Sequence, residues 1–361
     1  MKRVYNCLKM PHGSYIGGVA AVVNSYIENR DIFLSYGFDI DIFDYQNERI
    51  DSIKCSLLQT ILYGYGQWKE LRKQTECIDI LHIHTSRSSL FLKDVLLLKR
   101  VHTKLGKKIV LTIHVGDVNT VFQKIPRFLQ YRIINELNKH VSTVCFLSDI
   151  MRKQFIDRGL KECISETLYN FHNLNLPESN IKPVGSRLNL LFVGMINRDK
   201  GIIELLKAAN NVLDVPLHLS ICGTVTDESI RREYEELVKK AGDRVTENGY
   251  VKGEDKRKIF SNSDVLILPS YHEGLPLVIL EALAAGCAII STRVGATPEI
   301  LSEDNVIWIE KQNVESIERA IRILYKNKGF CESMKYKNYR LSKNYSRDTH
   351  IYKLCDIYKN G

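Results

Sequence analysis

The nine cysteines of this chain include no CxxC pair and are odd in number and scattered. That pattern argues against a disulfide framework or a structural zinc cluster, and the expected compartment is a reducing cytoplasm. No apolar run is long enough to span a bilayer: the longest, Leu275 to Ile290, is broken by Glu281. Low-complexity tracts and internal repeats are missing, which argues against disordered and solenoid architectures. The GxGxxG dinucleotide fingerprint does not occur, so a Rossmann oxidoreductase is not expected. The start, Met1-Lys2-Arg3 followed by Val4–Leu8, is too short for a signal-peptide core and reads as a first strand.

What is present is a chain of 361 residues, 44% hydrophobic and 26% charged, with the composition of a soluble globular protein and the length of two domains. The net charge of +9 is uneven. Residues 1–175 hold 24 Lys and Arg against 17 Asp and Glu, and the remainder 27 against 25. Basic residues crowd at Lys93, Lys99, Arg100, Lys104, Lys107 and Lys108, then at Lys124, Arg127, Arg132 and Lys139. The plain reading is a solvated surface. The alternative is an anionic partner, and without a nucleic-acid-binding motif that partner is an anionic membrane surface and not RNA or DNA.

Strand and helix patterns alternate throughout, as in a parallel α/β protein. Strands are expected at Val4–Leu8, Asp39–Phe43, Ile80–His84, Ile109–His114 and Val141–Leu147. Asn, Pro, Ser and Gly cluster at Asn173–Ser186, the best linker candidate. A second series follows at Leu188–Val193, Leu217–Cys222, Val245–Val251, Asp264–Pro269, Ala288–Thr292 and Val306–Ile309. Two doubly wound domains facing each other would leave a cleft at the carboxyl ends of their strands. The expected division is 1–175, 176–340 and a tail, 341–361, whose helix returns to the first domain.

The most informative segment is Glu273-Gly274-Leu275-Pro276-Leu277-Val278-Ile279-Leu280-Glu281. Gly274 permits an unusual turn, and Pro276 suits the first turn of a helix. That helix start offers unpaired amides and a positive dipole end to a phosphate. Glu281 lies inside an apolar run, where an unpaired carboxylate is expensive. The two hydroxyls of a ribose would satisfy it; so would a nearby Lys or Arg in a buried network.

These residues, within EGLPLVILEALAAGCAIISTRVGATPEI, resemble the signature of the retaining GT-B glycosyltransferases of family 4, the glycosyl transferases group 1. The resemblance implies that Glu281 binds donor ribose, that Glu273 sits near the transferred sugar, and that the amides of Gly274, Leu275, Pro276 and Leu277 line the phosphate and sugar. Leu191-Phe192-Val193-Gly194-Met195-Ile196-Asn197-Arg198-Asp199-Lys200-Gly201 is similar to the family's diphosphate-gripping loop. Lys200 and Gly194 fit that pattern. Met195 stands where the family usually has Arg, and Arg198 or Arg293 could replace that cation. A lysine here neutralises the leaving phosphate. Gly17 and Gly18, in Ser14-Tyr15-Ile16-Gly17-Gly18-Val19, correspond to a glycine loop reaching the donor; a plain turn is the alternative. Gly223 and Val251 fall where the family meets the nucleotide. Glu299 fits an acidic position whose role stays open.

His114 ends its strand at the carboxyl edge, followed by Val115-Gly116-Asp117, and the resemblance makes it a hydrogen-bonder to the transferred sugar. His82 and His84 alternate and face one side of their strand; without a third ligand they read as a packed or cleft-lining pair rather than a metal site. His12 could reach the acceptor. Asp39-Ile40-Asp41 matches the metal-binding DxD motif superficially but lies in an alternating strand and reads as its solvated face.

The expected fold class is therefore α/β, of GT-B type, with two facing Rossmann-like domains and an interdomain cleft. The expected activity is metal-independent, retaining transfer of a hexosyl unit from a UDP- or GDP-sugar to a glycan or lipid-linked acceptor, with no cofactor. His114, Glu273 and Lys200 form the catalytic set. Cell-surface polysaccharide assembly on the inner face of the membrane is the expected setting. An epimerase or phosphorylase of the same fold, or a non-catalytic nucleotide-sugar-binding protein, remain the alternatives.

Overall fold

The computed structural model describes residues 1–8, 18–44, 78–85, 95, 106–115, 118–122 and 125–360. The chain divides into two compact units, residues 1–170 with 348–361, and residues 171–347. These divisions differ from the expected 175/176 and 340/341 because the Asn173–Ser186 segment is docked and not a free linker. Ile181 and Val184 in it are buried, and the Lys182 carbonyl accepts a bond from Lys335 Nζ at 2.8 Å.

In the first unit a six-stranded parallel sheet runs in the order β2-β1-β3-β4-β5-β6. Its strands are β1 (Lys2–Leu8), β2 (Phe38–Asp44), β3 (Ile80–Thr85), β4 (Lys108–Ile113), β5 (Thr143–Phe146) and β6 (Ser165–Thr167). β3 and β5 are buried along their whole length, as expected of a parallel sheet with helices on both faces. The described helices are α1 (Gly18–Glu28), α2 (Arg30–Ser35), α3 (Val118–Phe122), α4 (Arg127–His140) and α5 (Asp149–Ile156). Asp39 and Asp41 flank buried Ile40 on β2, and Arg30 Nε binds Asp39 Oδ1 at 2.7 Å. The DxD match is thus a strand face with its own cation.

The second unit repeats the plan, with strand order β12-β11-β10-β7-β8-β9, all parallel. The strands are β7 (Leu188–Val193), β8 (Leu217–Cys222), β9 (Val245–Gly249), β10 (Val265–Leu268), β11 (Ala288–Thr292) and β12 (Ile307–Ile309). α6 (Ile202–Asn211), α7 (Arg231–Ala241), α8 (Gly253–Ser261), α9 (Leu277–Ala284), α10 (Thr297–Ile300), α11 (Val314–Lys326) and α12 (Lys328–Ser342) connect and cover them. The core gathers Leu190 and Phe192 of β7, Leu219 and Ile221 of β8, Ile267 of β10, Leu205 of α6 and Ile321 of α11. The last helix, α13 (Arg347–Asn360), rejoins the first unit. There Tyr358 OH meets His82 Nδ1 at 2.7 Å, and Lys108 Nζ binds the Tyr358 carbonyl at 2.9 Å.

Candidate functional site

In a parallel sheet the loops leaving the carboxyl ends of the strands converge on one edge. In the second unit these loops are locked to one another by backbone. Gly194 N bonds Cys222 O at 2.9 Å, Gly223 N bonds Gly249 O at 2.8 Å, and Tyr271 N bonds Asp199 O at 2.7 Å. Ala296 N bonds Gly274 O at 2.8 Å. The glycines make this closeness sterically feasible. A Cβ on Gly223 would stand well inside 3.0 Å of the Gly194 carbonyl oxygen, and one on Gly295, at φ +55°, would overlap the Gly274 carbonyl. Gly223→Ala should therefore cost about 3 kcal/mol through backbone displacement. In a unit of this size that lowers the melting temperature by roughly 10 °C, measurable by circular dichroism.

Lys200 closes a one-turn 3₁₀ segment, Arg198–Lys200, whose Asn197 cap accepts its amide at 3.1 Å. Its ammonium lies 2.5 Å from Glu273 Oε1, and the two side chains are only 18% and 10% exposed. The structure thus brings together two residues 73 apart in sequence. Gly274 and Leu275 follow, and Pro276 occupies the cap position just before α9 rather than its first turn. No side chain caps α9 and no acidic residue sits in its first turn, so its positive end keeps its attraction for an anion.

Glu281 projects from α9. Its Oε1 accepts from Lys256 Nζ of α8 at 2.5 Å, so the buried pair with a lysine is realised. Among the described residues its buried Oε2 has no hydrogen-bond partner. Burial pushes the Glu281 carboxyl up, and the Lys256 ammonium opposes the shift. Lys256 was not legible in sequence, because Glu254-Asp255-Lys256-Arg257-Lys258 reads as a solvated helix face.

The other expected positions are dispersed around this edge. Gly194 and Gly223 begin the loops after β7 and β8, and Val251 is half-buried between β9 and α8. Arg198 is exposed, with its charge near Asp227. Arg293 is occupied elsewhere: it bonds Glu303 Oε1 at 2.6 Å and stacks 4.4 Å from the Trp308 ring centroid. Glu299 lies in the first turn of α10.

In the first unit His114 immediately follows β4. Its Nε2 lies 2.9 Å from His84 Nδ1, and His84 Nε2 lies 3.1 Å from Asn6 Oδ1. Asn6 Nδ2 donates to the Asp41 carbonyl, which orients the amide oxygen toward His84. A carbonyl oxygen only accepts, so His84 carries its proton on Nε2 and its Nδ1 accepts from His114 Nε2–H. His114 is thereby left with a lone pair on Nδ1. Burial pushes its pKa down to about 3, keeping the ring neutral. His82 is enclosed by Tyr358 OH and Thr112 Oγ1, each at 2.7 Å, which makes it a packed core histidine. Asn6, the terminus of this chain of bonds, carried no motif by which to find it. Gly18 opens α1, and among the described residues a Cβ placed on it would meet no atom within 4 Å. Gly17, His12, Ser14–Ile16, Gly116, Asp117 and Lys93, Lys99, Arg100, Lys104 and Lys124 lie outside the described residues.

Residues 178–341 match the family described as Glycosyl transferases group 1. These residues form a glycosyl transferases group 1 domain. An uncharacterised glycosyltransferase of Methanocaldococcus jannaschii is 32% identical over 146 residues, 40% of this chain and 37% of that protein. An uncharacterised 41.2 kDa protein in the cps region of Klebsiella pneumoniae is 24% identical over 306 residues, 80% of this chain and 81% of that protein. Anabaena HepE, solved with UDP and glucose, superposes with a TM-score of 0.73 over the full length of both chains at 14% identity. The paired six-stranded parallel sheets are of GT-B type. The group 1 domain thus contains Lys200, Glu273, Glu281 and their connecting loops, while His114 lies outside it. Among the described residues no helix is long and apolar enough to cross a membrane.

Proposed function

We propose that this chain is a retaining glycosyltransferase moving a hexosyl unit from a nucleoside diphosphate sugar to a glycan or lipid-linked acceptor. The observation that carries the reading is the buried Oε2 of Glu281, without a partner among the described residues and one turn into a helix whose start no side chain caps. A buried acceptor without a donor costs about 1–3 kcal/mol, and a ribose hydroxyl removes that cost. The diphosphate then lies toward the α9 amides and the Lys200 ammonium, which takes up negative charge as the glycosidic bond breaks. Glu273, in the loop between β10 and α9, lies against the sugar. His114 accepts a hydrogen bond from a sugar hydroxyl through Nδ1. The departing phosphate stays on one face and takes the acceptor proton, which retains the anomeric configuration.

UDP and glucose bound to HepE support a nucleotide-sugar donor here. The cps-region relative supports a setting in cell-surface polysaccharide assembly. The basic residues of the first unit supply attraction to anionic lipid. The test is a thermal-shift panel of UDP- and GDP-sugars on the whole chain. A donor at a hundred times its dissociation constant should stabilise by about 2.7 kcal/mol. A panel in which none moves the melting temperature removes the reading. With the hit in hand, the anomer of the product, read by NMR, tests retention.

A further inference from the structure

We infer that Lys256 is a positioning residue that clamps one oxygen of Glu281 so that the other is presented to the nucleoside; this rests on the ribose reading above. In the charged run Glu254 to Lys258, Lys256 alone is half-buried, and its four neighbours are exposed. It turns inward from the first half of α8 and meets Glu281 on α9, 25 residues away, at 2.5 Å. Glu281 itself is 12% exposed in its side chain. The ammonium also acts electrostatically on the Cys222 thiol at the end of β8. A carboxylate there has two jobs: it must stay ionised though buried, and it must aim. One N–H bond to Oε1 serves both. It offsets desolvation and stops the carboxyl from rotating, leaving Oε2 as a fixed acceptor. Without the ammonium, burial favours the neutral acid. A neutral carboxyl bonds a hydroxyl more weakly and carries a proton of its own to place.

The other groups around the pair do not substitute. Cys222 has its thiol pushed up to about 11 and stays neutral. Lys335 of α12, the helix packed along α9, is bound to Asp264 Oδ1 and the Lys182 carbonyl, each at 2.8 Å.

Calorimetric titration of the full chain with UDP and with GDP, between pH 6.5 and 9, tests the assignment. Glu281→Gln should weaken the tighter nucleotide about tenfold, the loss of a charge-assisted bond. Lys256→Met should weaken it by a similar factor at pH 7.5 and recover toward wild-type affinity by pH 9, as Glu281 ionises on its own. Lys256→Arg should stay within about threefold of wild type. The double variant Lys256→Met/Glu281→Gln should bind no worse than either single one. Wild-type protein that binds neither nucleotide, or an affinity unmoved in Glu281→Gln, overturns the ribose reading and the clamp with it. A weakened Glu281→Gln beside an unchanged Lys256→Met overturns the clamp alone. So does a Lys256→Met deficit that stays constant with pH, since a merely structural loss has no reason to titrate.

Discussion

Replacing Lys200 by alanine is expected to lower sugar transfer roughly 10²- to 10³-fold, the size of loss seen when a preorganised stabiliser of developing charge is removed. Met195 supplies no cation, and Arg293 is held by Glu303 and Trp308. Lys200 is therefore the inward cation of the loop after β7, fixed by the Asn197 cap and by Gly201, whose φ of +65° lets the turn close against Pro269. Its ammonium is paired with Glu273, 2.5 Å away. Donor binding must share that ammonium between the carboxylate and the diphosphate, and the attraction grows as the leaving group becomes more anionic. The effect should thus fall on kcat more than on KM. Lys200→Ala also leaves the largely buried Glu273 carboxylate without its partner, which destabilises by several kcal/mol. Lys200→Met/Glu273→Gln separates the two losses: melting should return toward wild type while turnover, followed as released nucleoside diphosphate, stays low. A Lys200→Ala enzyme within threefold of wild-type turnover would remove this lysine from the mechanism.

How much of this could be read from the sequence varied with the physics of each element. The parallel strands β7, β8 and β11 were legible to the residue, because short apolar-rich segments, alternating in the case of Leu-His-Leu-Ser-Ile-Cys, stand between polar turns and allow few alternatives. β6, Ser-Glu-Thr, was missed; three hydrophilic residues at a sheet edge carry no apolar periodicity. His114 falls one residue beyond its strand, where its ring can reach back to His84. Gly223 looked like a ligand-contacting glycine by resemblance, and the structure adds a reason that involves no ligand, the close approach of the Gly194 carbonyl. Lys256 and Asn6 were silent for a different reason. Each acts through a partner distant in the chain, and local spacing holds no record of a contact made by tertiary packing.

That long-range packing has a second measurable consequence, a loss of first-unit stability in mild acid. His82, His84, His114 and His350 all have their pKa values pushed down by burial, His114 to about 3 and His350 to about 4. His350 is tied to the Tyr169 carbonyl through Nδ1 at 2.8 Å, so its Nε2 accepts from Tyr26 OH, also at 2.8 Å. His82, His84 and His350 are thus each held between two partners as neutral rings, and His114 donates through Nε2 as a neutral ring. The unfolded chain protonates the same rings near the ordinary value of about 6.5. Below that pH the unfolded state binds more protons than the folded one, and stability falls as pH falls. The contribution is fully present above about pH 6.5 and is lost progressively as pH falls toward the lowered folded values, about 4 for His350 and about 3 for His114. Each group contributes a slope of up to about 1.4 kcal/mol per pH unit, and four acting together approach about 5. Denaturant melts at pH 7.5, 6.0 and 5.0 should show the first unit yielding steeply between the last two, with the group 1 domain, which holds none of these four histidines, retaining its structure longer. His350→Gln should make the slope shallower by about one proton. An unfolding free energy flat from pH 7.5 to 5.0 would mean the rings are protonated within the folded protein, and the lone pair assigned to His114 Nδ1 would go with it.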